Sequence, residues 1–189
     1  MNKDSLNAVL KDHKTWLNSN YNQGKRANFY KIDLSGADLT DVNLTGADLT
    51  GADLTFANLT GADLTGADLT GANLKYVKLI GAKLTGVNLT GADLTGANLE
   101  NVDIRECVGN MRHIKSIFSE HYIVNYTSNI IQIGHNQHPI NEWWNFDDNH
   151  ILEMEGTTML NWWRKWKTNL KQIIEESPAI PTYLKLYNK

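Results

Sequence analysis

The chain of 189 residues lacks several features of secreted and membrane proteins. Its single cysteine, Cys107, excludes an intramolecular disulfide. The N-terminus has no apolar signal region, and no apolar run approaches the length of a membrane-spanning helix. A formal net charge of −3 is too small to dictate a partner. We therefore expect a soluble cytoplasmic protein that does not attach to a membrane.

The chain also has few residues that could form a catalytic or metal centre. His135 and His138 have the spacing of metal ligands, but no second paired motif accompanies them. Further ligands could come only from scattered residues: Cys107, His113, His121 and His150. Glycines at every fifth position do not form a phosphate-binding loop. We predict no catalytic residue, no metal and no cofactor, and keep a metal-binding or catalytic C-terminal domain as an alternative.

A five-residue period runs from Ala27 to Cys107, with Ala-Asp-Leu-Thr-Gly as its commonest unit. In each unit a small and a large apolar residue flank a polar one, which is the alternation of a short β-strand. Two outward residues then follow together, so the chain must turn before the next strand. Glycine at the second of these positions tolerates a positive φ. The pattern predicts a parallel β-solenoid with Ala and Leu inside and polar residues outside.

These tandem units resemble the pentapeptide repeat family, whose members wind as a right-handed, four-sided parallel β-helix. The large inward position is filled at every fifth residue from Phe29 to Ile104, and the small one from Ala27 to Cys107. The resemblance implies a mainly β fold, with about four coils over residues 27–107.

An uncovered rod end would expose apolar side chains and unpaired backbone groups, and the flanking segments have the features of caps. Residues 1–26 contain a predicted amphipathic helix over 3–18, followed by a polar linker. Its apolar side carries Leu6, Val9, Leu10, His13 and Leu17. We interpret His13 as structural, because a single histidine on an apolar helix face is seldom a catalytic base.

Residues 108–189 differ in composition and predict a small C-terminal α+β domain, which contains five of the six tryptophans. Residues 122–126 and 130–133 flank a short polar turn and predict a β-hairpin. Pro139 can begin a short helix.

A longer helical pattern follows in the same domain. Asp147 or Asp148 can cap its first part, Gly156 interrupts it, and Pro178 stops it. The apolar stripe of the second part is predicted to be Met159, Trp163, Trp166, Leu170, Ile173 and Ile174. The basic residues around Trp162 separate onto the opposite face, which favours a core face and a solvated face over a nucleic-acid or membrane site.

Two strings in this domain, HPINEWWNF and NWWRKWKTNLKQIIEESP, resemble a C-terminal extension of phage and prophage pentapeptide repeat proteins. The resemblance implies a phage or bacterial origin and brings no activity with it.

With twenty residues per coil, the outward residues would stack in four columns, named faces 1 to 4 in chain order. Faces 1 and 2 are mostly acidic, and they carry Asn28, Asp48, Asp68 and Asn88, and Asp33, Asp53, Asn73 and Asp93. Faces 3 and 4 carry Asp38, Asn58, Lys78 and Asn98, and Asn43, Asp63, Lys83 and Asp103. The acidic edge, formed by Asp33, Asp53, Asp93, Asp48 and Asp68, is a candidate interaction surface.

Phe56 and Tyr76 replace corner glycines one coil apart, so we expect them to stack as neighbours on an exposed corner. Exposed aromatic residues in a polar setting indicate a contact site, and sequence drift at a permissive corner explains them equally well. We name this pair the aromatic corner.

Together these features predict a non-enzymatic protein-interaction module with a protein partner and no direct nucleic-acid binding. The C-terminal domain would cap the rod, form a homodimer or recruit a partner. The family resemblance implies an alternative, because some members resemble duplex DNA and occupy the DNA-binding cleft of gyrase. This chain could thus be a DNA-mimicking modulator of gyrase or another DNA-processing enzyme, although Lys75, Lys78 and Lys83 interrupt its acidity.

Overall fold

The computed structural model describes residues 1–182. Its helices and strands follow one another as α1 (Lys3–Asn18), β1 (Lys115–Phe118), β2 (Ile123–Tyr126), β3 (Ile130–Ile133), β4 (Asn136–Pro139), α2 (Ile140–Asn145) and α3 (Asp148–Glu176). The repeats lie between α1 and β1. The predicted N-terminal helix, the repeat solenoid and the C-terminal sheet and helices are all present, while the boundaries 1–26, 27–107 and 108–189 stay predictions.

Each outward residue of the repeats pairs in parallel with the residue twenty positions later, from Asn28 with Asp48 to Asn88 with Val108. Four five-residue units therefore complete one turn. The backbone of Leu49 donates to the Asp68 carbonyl over 2.8 Å, and the backbone of Asp68 donates to the Ala47 carbonyl over 3.0 Å. The β-solenoid prediction is confirmed, while the number of coils and the right-handed sense stay predictions.

The inward positions form one continuous apolar core along the rod. Leucines from Leu39 to Leu94 are buried, and Leu99 in the last coil is only partly buried. Small inward residues at the N-terminal end are also only partly covered, and these are Ile32, Ala37 and Val42. Burial is thus least complete where a stacked neighbour is missing on one side.

Helix α1 closes the N-terminal end of the rod. Asn2 caps the helix through its side chain, which accepts from the Ser5 backbone over 2.8 Å. Leu6 and His13 are buried against the first coil, and Val9 and Leu10 pack there in part.

His13 supplies the first strand with a hydrogen-bond acceptor. Its Nδ1 accepts from the Ala27 backbone N–H over 3.0 Å. In later units the same N–H donates to the carbonyl of the large inward residue three positions earlier, as Ala47 does to Leu44. Because Nδ1 accepts, the ring proton must lie on Nε2, which is buried without a hydrogen-bond partner within residues 1–182. The prediction of a structural His13 is consistent with this geometry.

Strands β1 to β4 form an antiparallel sheet in chain order, the C-terminal sheet. The predicted hairpin is confirmed as β2 and β3, whereas β1 and β4 were not predicted. Strand β4 contains the ligand candidate His138 and begins directly after the other candidate, His135.

The predicted helices are confirmed with one correction. Helix α2 begins after Pro139, and α3 has Asp147 as its N-cap and ends before Pro178. Gly156, with φ of 72°, breaks the helical geometry as expected. The predicted stripe was wrong at Ile173, which is 37% exposed, because the buried stripe runs from Leu170 to Ile174 and leaves Ile173 at its margin.

A row of polar side chains on the C-terminal sheet caps the last coil of the rod, residues 89–108. Ser116, Asn125 and Gln132 stand opposite one another on β1, β2 and β3, and all three are buried. Gln132 Oε1 accepts from the Ile104 backbone N–H over 3.0 Å, and Asn125 Nδ2 donates to the Ile104 carbonyl over 2.6 Å. Ser116 Oγ donates to the Cys107 carbonyl over 3.1 Å. These side chains stand where the peptide groups of another coil would be.

Two further groups continue this cap around the last coil. Asn110 Nδ2 donates to the Ala92 carbonyl over 3.0 Å, and Thr182 Oγ1 donates to the Ala97 carbonyl over 2.7 Å. The C-terminal domain therefore packs against the rod rather than extending away from it. Among the described helices, none is long and apolar enough to cross a membrane.

We predict that His13 makes the rod sensitive to acid. Burial and then the charge of Arg26 lower the pKa of His13, so the unfolded chain binds the proton more readily than the native one. The free energy of unfolding should fall as pH drops below the unfolded pKa of about 6.5 towards the lower native value. Urea denaturation of His13→Gln, which keeps an acceptor but does not titrate, should show a shallower loss between about pH 7 and about pH 5. The exposed His121→Gln is the control, and equal slopes for wild type and His13→Gln would contradict the assignment.

We also predict that Gln132→Leu destabilises the protein by about 1–3 kcal/mol, because it leaves the buried Ile104 N–H without an acceptor. Gln137→Leu makes the same change on the neighbouring strand, where the side chain is half-buried, and should cost less. Chemical denaturation of both variants measures the difference. Equal losses would mean that Gln132 acts through packing rather than through its hydrogen bond.

Candidate functional site

The four faces defined from the sequence are present as ladders of paired residues. Face 2 joins Asp33 to Asp53, Asp53 to Asn73 and Asn73 to Asp93, and face 1 joins Asp48 to Asp68. Stacked strands lie about 4.8 Å apart, so neighbouring side chains within a face are close. The structure thus brings the acidic-edge residues together in two adjoining columns.

Each outward Asp or Asn also shapes the corner that follows it. Asp53 Oδ1 accepts from the Thr55 backbone N–H over 3.0 Å and from Thr55 Oγ1 over 2.5 Å. Asp68 makes the same pair of bonds with Thr70, at 2.9 and 2.6 Å. Asn58 does so with Thr60, which shows that an amide oxygen serves as well as a carboxylate oxygen. Oδ1 therefore supports the turn, although the corners after Lys78 and Lys83 form without it. The second atom of Asn58 donates to Thr40 Oγ1 over 2.8 Å.

Lysines neutralise part of the acidity. Lys75 Nζ lies 3.3 Å from Asp93 Oδ2 at the end of face 2, and Lys83 Nζ lies 3.1 Å from Asp63 Oδ2 on face 4. The hydrogen bond from Thr95 lowers the pKa of Asp93, and Lys75 adds to this effect. Within the described part of the chain, no basic nitrogen lies within 4.0 Å of the remaining acidic-edge carboxylates, which are Asp33, Asp48, Asp53 and Asp68.

The acidic edge is thus continuous only towards the N-terminal part of the rod. The Ser35 side chain and backbone hydrogen bonds lower the pKa of Asp33, so this carboxylate stays ionised well into the acid range. Sequence reasoning grouped Asp93 with the other four residues and did not foresee its ion pair with Lys75.

Phe56 and Tyr76 stack at the corner between faces 2 and 3. Their ring centroids are 5.0 Å apart with the planes 10° from parallel, and the residues are 66% and 52% exposed. Both have positive φ, 60° and 57°, in a corner column that otherwise contains Gly36 and Gly96. A side chain in this conformation costs roughly 1–2 kcal/mol, which the ring stacking partly offsets.

Gly96 leaves space for this stack. The Tyr76 ring lies over Gly96, and a Cβ atom at that position would collide with the ring. The aromatic corner is therefore a shaped surface of three successive corners rather than two independent side chains.

The histidine and cysteine candidates do not converge. His135 Nδ1 lies 2.8 Å from Arg105 Nη1, whereas His138 packs edge-on against Trp143 and Phe146. Burial raises the pKa of the Cys107 thiol to about 12, which makes it a poor nucleophile and a poor metal ligand. Across residues 1–182, no three His, Cys, Asp or Glu side chains are placed to hold a metal ion.

The tryptophans of α3 belong mainly to the core of the C-terminal domain. Trp162 and Trp163 are buried, and Lys165 forms an ion pair with Glu120 over 2.6 Å. This arrangement matches the predicted separation into a core face and a solvated face.

Sequence reasoning missed the polar cap formed by Ser116, Asn125 and Gln132. Its signal was present in the hairpin, where Asn125 in Ile-Val-Asn-Tyr and Gln132 in Ile-Ile-Gln-Ile interrupt apolar runs. A single polar residue inside a strand that is otherwise buried indicates a specific buried acceptor or donor.

A ladder of five-residue units with Asp or Asn oxygens at its corners defines a class of parallel β-solenoid proteins. The family model for pentapeptide repeats matches eight copies in residues 27–66 and 72–108. Together with a solved relative of 34% identity, most of whose length the chain covers, this shows that the chain belongs to the pentapeptide repeat family.

Three solved pentapeptide repeat proteins illustrate the extent of the likeness. That relative, alr5209 from Nostoc Pcc 7120, is covered over 79% of its length and 53% of this chain, with a TM-score of 0.45. Rfr23 from the cyanobacterium Cyanothece 51142 is 38% identical, with coverage of 63% of its chain and 46% of this one and a TM-score of 0.43. HetL from Nostoc sp. strain PCC 7120, a protein involved in heterocyst differentiation regulation, is 35% identical, with coverage of 48% and 46% and a TM-score of 0.26.

The chain thus spans less than two thirds of Rfr23 and about half of HetL. The search of the curated proteins found no match to the chain.

We predict that the charge of Asp53 can be removed without destabilising the fold, whereas its Oδ1 acceptor cannot. Asp53→Asn keeps the Oδ1 acceptor and should change the free energy of unfolding by no more than about 0.5 kcal/mol. Asp53→Ala removes the acceptor of two hydrogen bonds and should cost roughly 1–3 kcal/mol. Thermal or urea denaturation distinguishes the two variants. Equal losses for Asn and Ala would show that the charge itself stabilises the rod.

Proposed function

We propose that this protein is a non-enzymatic protein-binding module whose partner contacts face 2 and its two borders. One border is the acidic edge, carried by Asp33, Asp53, Asp93, Asp48 and Asp68. The other is the aromatic corner, Phe56 and Tyr76. The observation that carries the proposal is the aromatic corner itself, because two large exposed rings occupy a corner whose backbone favours glycine.

The geometry of the rod supports a partner-binding role. The rod is stabilised by its inward apolar residues and by one oxygen of each outward Asp or Asn. The aromatic rings and the second carboxylate oxygens are therefore not needed for folding. Exposed apolar surface bordered by polar residues is typical of protein-protein contacts.

We assign residues 1–26, 27–107 and 108–189 to separate tasks. In this division the first segment closes one rod end, the repeats carry the binding surface, and the last segment closes the other end. The hydrogen bonds from Gln132 and Asn125 to Ile104 support a capping task for the C-terminal domain. Homodimer formation through that domain, a cytoplasmic location and a phage or bacterial origin remain predictions from the sequence.

A DNA-mimicking modulator of gyrase or another DNA-processing enzyme is the alternative. Stacked carboxylates about 4.8 Å apart crudely imitate a row of phosphates. Lys75 pairs with Asp93, and faces 3 and 4 carry further lysines. This distribution of charge favours a partner that contacts one side of the rod. A supercoiling assay tests the alternative, and inhibition or protection of gyrase at micromolar protein would support it over a different partner.

We predict that affinity capture from bacterial lysate depends on the acidic edge. The bait is the full chain, compared with a variant that has Asn at Asp33, Asp53, Asp48 and Asp68. The variant should keep its fold, since Asn preserves Oδ1, and should lose the partner.

Asp63→Asn on face 4 is a control for position, because it removes one carboxylate charge from the side of the rod opposite face 2. Retention of all partners by the fourfold variant would exclude the acidic edge as the recognition surface. A second bait, Phe56→Gly with Tyr76→Gly, tests the aromatic border in the same way.

A further inference from the structure

The aromatic corner has different charges on its two sides. Phe56 stands in the same coil as Asp53, and Asp33 and Asp38 lie one coil earlier on the adjoining faces. On the other side, Tyr76 lies beside Lys75 and Lys78, and Lys75 is already engaged with Asp93. The Phe56 side of the stack is thus the acidic one.

The carboxylates on that side each have one oxygen available. Asp53, Asp33 and Asp38 all use Oδ1 to accept from the residue two positions later, at 3.0, 2.9 and 3.2 Å. Their Oδ2 atoms have no salt-bridge partner within residues 1–182. A flat apolar ring therefore stands in the same coil as Asp53, whose Oδ2 can still accept hydrogen bonds. The Met1 ammonium lies near Asp33 and Lys3 near Asp38, so Asp53 is the carboxylate with no cation beside it among the three.

We propose that the aromatic corner binds the guanidinium group of an arginine in an exposed segment of the partner protein. The inference rests on the proposed function and names the chemistry of its partner. The planar guanidinium stacks on the exposed Phe56 ring and donates from its edge to the Oδ2 atoms of Asp53 and its neighbours. Arginine suits both contacts, because it combines a stacking plane with several N–H donors, whereas lysine offers a compact point charge.

Charge complementarity selects this occupant over other partners. An anionic ligand would approach three carboxylates and be repelled. A purely apolar surface would bury the same carboxylates without a counter-ion, which is costly. Only a cationic group can make both a cation–π contact with the ring and an ion pair with the carboxylates.

The probes for the experiment are three peptides with the same Gly-Ser backbone, carrying arginine, lysine or citrulline at the same positions. Citrulline has the shape of arginine without its charge. Binding to the full-length protein is followed by isothermal titration calorimetry and by backbone amide shifts of residues 53–58 and 73–78. We expect the arginine peptide to bind at least about threefold more tightly than the lysine peptide, and the citrulline peptide not to bind measurably.

Phe56→Gly with Tyr76→Gly restores the common corner residue and removes the strain of a side chain at positive φ, so the variant should fold. It should abolish the preference for arginine over lysine. Asn101→Gly is the matched control, since Asn101 is also a non-glycine corner residue with positive φ, 54°, and its replacement alters no charge. Asp53→Asn should weaken arginine binding by about threefold to tenfold, and Asp63→Asn should leave it unchanged.

Several outcomes would overturn the inference. Equal affinities for the arginine and lysine peptides would indicate unspecific attraction to an acidic rod. Unchanged arginine binding to the Phe56→Gly, Tyr76→Gly variant would place the site elsewhere. Concentration-dependent self-association that disappears in this variant, measured by analytical ultracentrifugation, would assign the corner to a second copy of the chain.

The inference and the proposed function fail in different ways. If lysate partners depend on face 2 but the arginine peptide shows no preference, the binding module stands and the guanidinium assignment is wrong. If the arginine peptide binds as expected but no partner depends on face 2, the corner recognises arginine without being the recognition surface of a stable complex.

Discussion

Each inner strand of the rod bonds to the strands twenty residues before and after it, and the other features of the molecule follow from this register. The register stacks like positions, so a substitution at one corner has its neighbours one coil away rather than along the chain. Phe56 meets Tyr76 for this reason, and Lys83 meets Asp63. The same register leaves two unsatisfied ends, because the first and last coils have a neighbour on one side only.

The two ends solve this problem with different chemistry. At the N-terminal end a helix covers the core, and His13 provides one acceptor for the first strand. At the C-terminal end an antiparallel sheet crosses the last coil, and Asn125 and Gln132 use side-chain amides in place of backbone peptides. An amide side chain has the same donor and acceptor groups as a peptide unit, which explains why these two residue types are buried there. The solenoid and its C-terminal domain are consequently one hydrogen-bonded structure.

Much of the rod could be predicted from the sequence, because a five-residue period with apolar inward positions determines which side chains face the core and which stack outside. The predicted stacking of Phe56 on Tyr76 needed only that register. The C-terminal domain was harder to predict. Strands β1 and β4 have little alternation of their own, so their pairing depends on the central hairpin. The roles of Gln132 and His13 depend on partners 28 and 14 residues away, and the local sequence does not predict such contacts. Whether the acidic edge and the aromatic corner form a binding surface remains a proposal.

The corner hydrogen bond of each outward Asp or Asn has an evolutionary consequence. Since Oδ1 is common to both residues, an outward position such as Asp53 can gain or lose a full charge while the corner hydrogen bonds are preserved. The sequence of Asp and Asn along a face is therefore free to follow the demands of a partner, independently of the demands of folding. Exchange of Asp for Asn at positions such as Asp53 would therefore allow related rods to differ widely in charge while they share one backbone.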